Sequence, residues 1–168
     1  MAQNNMIKAI KRLLQKNSSI ILCDIYTAKK GGDKMTSHTQ IEALENIGLL
    51  NDRYATKQGY WHHVESCQVT LISTEDIKRI ERKSNLSLQN GIHRRNLLIS
   101  GISSKALEGQ TFQLGTAIFK YDKPRPPCGY IDSVSSKGMA KALGRQSGIC
   151  LHIVRSGLIK KGDVLNIL

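Results

Sequence analysis

Thr111-Phe112-Gln113-Leu114-Gly115-Thr116-Ala117-Ile118-Phe119-Lys120-Tyr121 reads as two short strands, 111–114 and 116–121, separated by a turn at Gly115. The same punctuation recurs outward along the chain. Ile20 to Tyr26, Gln68 to Ile72, Asn96 to Ser100, Ile149 to Arg155 and Val164 to Leu168 are short runs rich in β-branched residues, set apart by glycine-bearing turns. Such a series predicts a mainly β domain, closed or sandwiched. Two helices fit between the strands. One starts at Ser73 or Thr74, where Glu75 and Asp76 occupy the positive end of the helix dipole and Ile77 and Ile80 face inward. The other, near Ser136 to Gln146, buries Met139, Ala142 and Leu143.

Upstream, Met6, Ile10, Leu13 and Leu14 share one face at helical spacing, with Lys8, Lys11, Arg12 and Lys16 around the rest. Residues 5–16 are therefore expected to form a basic amphipathic helix, with Asn17 to Ser19 as its exit. That sets 1–18 apart from a domain over 19–168. A helix this short carries little membrane affinity alone, so it is expected to dock on the domain or on a second subunit of a homodimer. Apolar runs such as Ile20 to Cys23 fall far short of the roughly 20 residues a bilayer requires. Lys8, Lys11 and Arg12 interrupt any signal-peptide core, and a cytoplasmic location is expected.

Charge narrows the partner. The 25 Lys and Arg against 13 Asp and Glu leave +12, which calls for an anion: nucleic acid, acidic lipid or a phosphorylated cofactor. With only 5% aromatic residues a base-stacking platform is weak, although a basic nucleic-acid-binding module gripping the backbone stays as an alternative of a different class. Cys23, Cys67, Cys128 and Cys150 lie far apart with no C-x-x-C pair. This spacing encodes neither a disulfide scaffold nor a zinc ribbon, and points to sulfur chemistry for at least one of them.

Lys123-Pro124-Arg125-Pro126-Pro127-Cys128-Gly129-Tyr130 holds all 3 prolines of the chain directly before a cysteine. Proline fixes φ and restricts the residue before it, so the loop holds the Cys128 thiol in place at low entropic cost, and Arg125 brings positive charge beside it. Such a sulfur binds soft metals or attacks as a nucleophile; the alternative is a buried cysteine after a stiff turn. His93-Arg94-Arg95-Asn96 stands before an apolar strand, where paired guanidiniums suit phosphate and Asn96 suits a ring amide or a backbone group, unless the arginines are solvated surface charge. In Gly48-Leu49-Leu50-Asn51-Asp52-Arg53-Tyr54-Ala55, Asp52 can hold Arg53 in a pocket, or the two form an ordinary turn pair. His62, His63 and Cys67 suggest zinc but lack an evident fourth ligand, and Tyr60-Trp61-His62-His63 reads as an amphipathic loop. Gly31-Gly32 lacks the spaced glycines and Lys-Ser/Thr of a P-loop and reads as a turn.

In order, Gly48 to Ala55, Val69-Thr-Leu-Ile-Ser-Thr-Glu-Asp76, Arg94-Arg-Asn-Leu-Leu-Ile-Ser-Gly101, Leu107-Glu-Gly-Gln-Thr-Phe-Gln-Leu-Gly115, Pro127-Cys128 and Ser156-Gly-Leu-Ile-Lys-Lys-Gly-Asp-Val164 resemble the blocks of the MOSC domain family, named for the molybdenum cofactor sulfurase C-terminal domain. The resemblance covers about residues 19 to 168. It implies a closed β-barrel with short flanking helices and a site for the pterin-based molybdenum cofactor, molybdopterin. It also implies Cys128 as the molybdenum ligand, with Arg53, Arg94 and Asn96 lining phosphate and pterin and Asp52, His93, Arg95 and Arg125 as neighbours. The implied activity is that of an oxidoreductase on small N-hydroxylated bases or amidoximes. The larger family enzymes' extra N-terminal β domain and fused iron–sulfur module are not in this stretch, so an external electron-transfer protein is implied. The alternative within the family is a carrier that takes sulfur from a donor as a persulfide on Cys128. Family members are also associated with pyridoxal phosphate through fusion to a sulfurase, although no lysine here stands out as a Schiff-base candidate.

Overall fold

The computed structural model describes residues 19–168. The helix expected over 5–16 lies outside them. The described residues form eleven strands: β1 Ile20–Thr27, β2 Thr36–His38, β3 Gln40–Leu44, β4 Gly48–Leu49, β5 Val69–Ser73, β6 Leu97–Ser100, β7 Thr111–Leu114, β8 Ala117–Pro124, β9 Ile149–Arg155, β10 Gly157–Lys160 and β11 Val164–Ile167. Seven of them, in the order β11-β7-β8-β9-β5-β6-β1, form a barrel that closes where Ile20 and Ile21 of β1 pair with Leu165 and Val164 of β11. The domain is thus closed rather than sandwiched. β1 can serve so many partners because it is long and shifts register between Leu22 and Asp24, leaving its far end to β2. A second sheet, β10-β3-β4, lies outside this ring.

The β7–β8 hairpin forms as its sequence dictates. Leu114 pairs with Ala117 across the Gly115-Thr116 turn, and Gly115 takes φ +56°, a region favouring glycine. Alternation then buries Phe112, Leu114, Ala117 and Phe119, and the two phenyl rings stack 5.8 Å apart in the barrel core with Leu22, Ile25, Leu71, Leu97 and Ile99. Truncating either ring to alanine costs about 3–5 kcal/mol. β5 is buried along its whole length because one face meets that core and the other is covered by helix α1, Thr74–Ser84. Ser73 caps α1 by accepting the Asp76 N–H at 3.1 Å, and Asn85 ends it in a left-handed turn. Ile77 and Ile80 face a second core with Ile72, Leu88, Met139 and Leu143.

The helix expected over Ser136–Gln146 is shorter. Gly138, at φ +87°, starts α3, Met139–Leu143, and a 3-10 turn, Gly144–Gln146, follows it. Helix α2, Tyr130–Val134, precedes them, and its Asp132 accepts the N–H groups of Gly138 and Ala140. The cysteine reading needs correction: Cys67 and Cys150 form a disulfide, with Cα atoms 5.5 Å apart. Their 83-residue separation hides this, but Cys150 lies opposite Thr70 on β5, which Cys67 leads into. Among the described residues no helix is long and apolar enough to cross a membrane.

Candidate functional site

Five of the eight residues singled out from the sequence, Arg53, Arg94, Arg95, Arg125 and Cys128, line one cavity near the starts of β5 and β6. Asp52, with no exposed surface, stands behind it and does three things at once. Its carboxylate accepts the N–H of Ala28 at 3.0 Å and of Tyr54 at 3.2 Å, and it pairs with Arg53 at 3.2 Å. The turn pair and the pocket pair are therefore the same pair. Arg53 continues across the cavity to donate to the Arg94 carbonyl at 3.0 Å.

Arg94 and Arg95 are not surface charge. They are 7% and 4% exposed. Arg94 takes φ +61° and donates to the Asp33 carbonyl at 2.6 Å. Arg95 donates to the carbonyl and hydroxyl of Ser147 at 2.6 and 2.5 Å. Neither has a carboxylate within ion-pair distance among the described residues. Burial, with repulsion from Arg125 and Arg53, pushes the Arg95 pKa down to about 9; burial and Arg53 push Arg94 down as well. Both remain cationic at neutral pH, so the cavity wall carries positive charge that only an external anion would balance.

His93 and Asn96 serve the frame. His93 Nδ1 accepts the Arg95 N–H at 3.0 Å, and burial, chiefly, pushes its pKa down to about 3, so the ring is neutral. Asn96 donates to the Tyr26 carbonyl at 3.0 Å and accepts from the Thr70 N–H and hydroxyl at 3.0 and 2.9 Å, tying β1, β5 and β6 together. Neither lines the cavity.

On the opposite wall, the proline loop carries Cys128, and the Arg125 N–H donates to the Gly148 carbonyl at 2.9 Å. Gly148 has φ +94°, and a side chain there would collide with the Leu71 carbonyl. Arg125 pairs with Glu65. Burial alone would raise the Glu65 pKa, but the Cys67 N–H, Arg125 and Lys123 bring it below its ordinary value.

Three contributors went unread in the sequence. Glu65 neutralises Arg125, Ser147 holds Arg95, and Trp61 donates its indole N–H to Cys128 Sγ at 3.4 Å. Tyr60-Trp61-His62 forms the outer wall, with Tyr60 stacked on Tyr130 at 3.8 Å. Only the chain's lone tryptophan could have signalled it. Gly31 is more than a turn: its N–H donates to Gln58 at 2.8 Å, and a Cβ would come 3.0 Å from the Tyr60 nitrogen. Cys67 is tied to Cys150, so the grouping with His62 and His63 has no thiol to offer a metal.

The fold and site together define a closed β-barrel protein with an arginine-lined cavity and a cysteine on a proline loop in its wall. The MOSC domain pattern matches residues 58–166, and the chain belongs to the MOSC domain family, which is associated with the molybdenum cofactor. No curated protein matches significantly. Among solved structures, the chain is similar to the YuaD protein of Bacillus subtilis, at 16% identity, 89% coverage of this chain and 96% of that one, and a TM-score of 0.73. It is also similar to YiiM from Geobacillus stearothermophilus, at 16% identity over 89% and 75% of the two chains with a TM-score of 0.66. For YiiM from Escherichia coli the values are 16%, 90%, 70% and 0.63. At this identity the likeness is one of fold.

Proposed function

We propose that the protein binds the pterin-based molybdenum cofactor in the arginine-lined cavity, with Cys128 as its thiolate ligand. We further propose that it reduces N-hydroxylated bases or amidoximes with electrons from a separate protein. The observation that carries this reading is the sharing of one cavity by a thiol and two arginines without carboxylate partners. Soft sulfur suits molybdenum, and planar guanidiniums suit a phosphate. When bound, the cofactor would supply the two-electron chemistry.

The chain's own residues have distinct tasks. Arg94 and Arg95 supply charge to the anion, Arg53 holds the Arg94 carbonyl, and the proline loop holds Cys128. His62, in the cavity wall, donates from Nδ1 to the Gly59 carbonyl at 2.9 Å. The cavity, about 80 Å³, is only partly enclosed, and Tyr60 and Trp61 in its wall are exposed. Metal analysis of protein made in a cofactor-competent host, followed by donor-driven reduction of N-hydroxylated substrates, tests the reading. Molybdenum should be present in the wild type and absent from Cys128→Ala; equal molybdenum in both would overturn the ligand assignment.

A further inference from the structure

Beside the arginine cavity lies a larger groove of about 1020 Å³, separated from it by the shared wall of Trp61, Glu65, Arg125 and Pro126. Its far side comes from Asp76 and Arg79 of α1, the Ser103–Glu108 segment and the Gly144–Ile149 turn. We propose that this groove is a second binding site, for a small molecule with an apolar ring and an anionic phosphate or carboxylate group.

Three observations point there. First, Ser104 lines the groove, is 2% exposed, and has a buried hydroxyl with no hydrogen-bond partner. Buried hydroxyls are ordinarily paired, and an unpaired one marks where a ligand oxygen would be received. Second, the charges on the walls do not cancel. Arg79 is matched by Asp76, and Arg125 and Lys123 share Glu65, whereas Lys105 and Arg145 have no carboxylate within ion-pair distance among the described residues. Glu108 is the one acid on the wall outside these pairs, so the cations prevail. Third, Trp61, Val64 and Pro126 give the end nearest the first cavity an apolar face for a ring. The site does not depend on the cofactor reading, because none of Ser104, Lys105 or Arg145 lines the first cavity.

Trp61 is the only tryptophan and stands on the wall between the two spaces, so its fluorescence reports on either. The test titrates the full chain with phenyl phosphate, using phenol and inorganic phosphate as partial probes and calorimetry as a second readout. Phenyl phosphate should bind saturably and more tightly than either fragment. The Lys105→Ala/Arg145→Ala protein should bind about tenfold more weakly. Ser104→Ala should bind about fivefold more weakly with no loss of thermal stability, since the hydroxyl it removes is unpaired. Binding lost in Arg53→Gln but kept in these two variants would put the anion in the first cavity and overturn the proposal. Absence of saturable binding in both readouts would overturn it as well.

Discussion

The indole Nε1 of Trp61 lies 3.4 Å from Cys128 Sγ, 67 residues away in the chain. A weak donor on an exposed side chain thus shields the sulfur on which the proposed chemistry depends. Cys23 is the only other free cysteine, so alkylation can be read site by site. Trp61→Phe should speed Cys128 alkylation about threefold while leaving Cys23 unchanged, the scale expected from losing one weak hydrogen bond and part of a cover. Peptide mass spectrometry along the time course gives both rates. Equal acceleration at both cysteines would show general loosening instead.

Arg53 and Arg94 form a relay: one holds the backbone carbonyl of the other at 3.0 Å. Lysine carries the charge but cannot reproduce the guanidinium fork. Arg53→Lys and Arg94→Lys should each weaken cofactor retention by about 1.5–3 kcal/mol, or roughly ten- to a hundredfold. Their double variant should lose less than the sum, because both act on one anion position. Arg12→Ala removes one charge in the segment outside the described residues and serves as the control. Molybdenum loss in Arg12→Ala with none in the two lysine variants would mean that long-range field, not a formed pocket, retains the cofactor.

The barrel was legible where side chains report on their own strand. Phe112, Leu114, Ala117 and Phe119 alternate around one glycine, and Ser73 with Asp76 announces α1 within four residues. β3 and β10 went unread because each is short and gains its strand character from the other, with Ile41 opposite Ile159. Within the site, residue types were readable but burial was not. Arg95 looks like surface charge until Ser147, 52 residues later, supplies its acceptors. Asp52 and Asn96 do not line the cavity but stand behind it, Asp52 holding Arg53 and the Ala28 N–H, and Asn96 tying the Tyr26 carbonyl to Thr70.

His93 makes the frame of the site sensitive to acid. Its folded pKa of about 3 lies below the ordinary histidine value of 6.5. The unfolded chain therefore binds the extra proton first, and stability is lost as pH falls from 6.5 toward 3. Between pH 7 and pH 5 the loss from this ring should be about 2 kcal/mol. Glu65 and Asp24, whose pKa values lie below the ordinary carboxylate range, contribute only at lower pH. His93→Gln keeps an acceptor for the Arg95 N–H but cannot titrate. Denaturant unfolding at pH 7 and pH 5 should show a smaller difference in the variant than in the wild type; an unchanged difference would assign the sensitivity elsewhere.

The Cys67–Cys150 disulfide fastens the segment entering β5 to β9, next to the point where the Pro124–Ile149 pairing hands the chain on to the cysteine loop. Closing a loop across 83 residues restricts the unfolded chain far more than the folded barrel, where β5 and β9 are already paired. Its loss should cost about 2–4 kcal/mol, which at this chain length lowers Tm by roughly 5–15 °C. Cys67 also lines the arginine cavity, so reduction should loosen the wall that carries Glu65 and, through it, Arg125. Thermal unfolding with and without reductant, alongside Cys150→Ala, separates the two effects. The variant should melt at the reduced protein's temperature and no longer respond to reductant. A wild type whose melting is indifferent to reductant, with both thiols titratable in the folded state, would show that the bridge does not contribute to holding this wall.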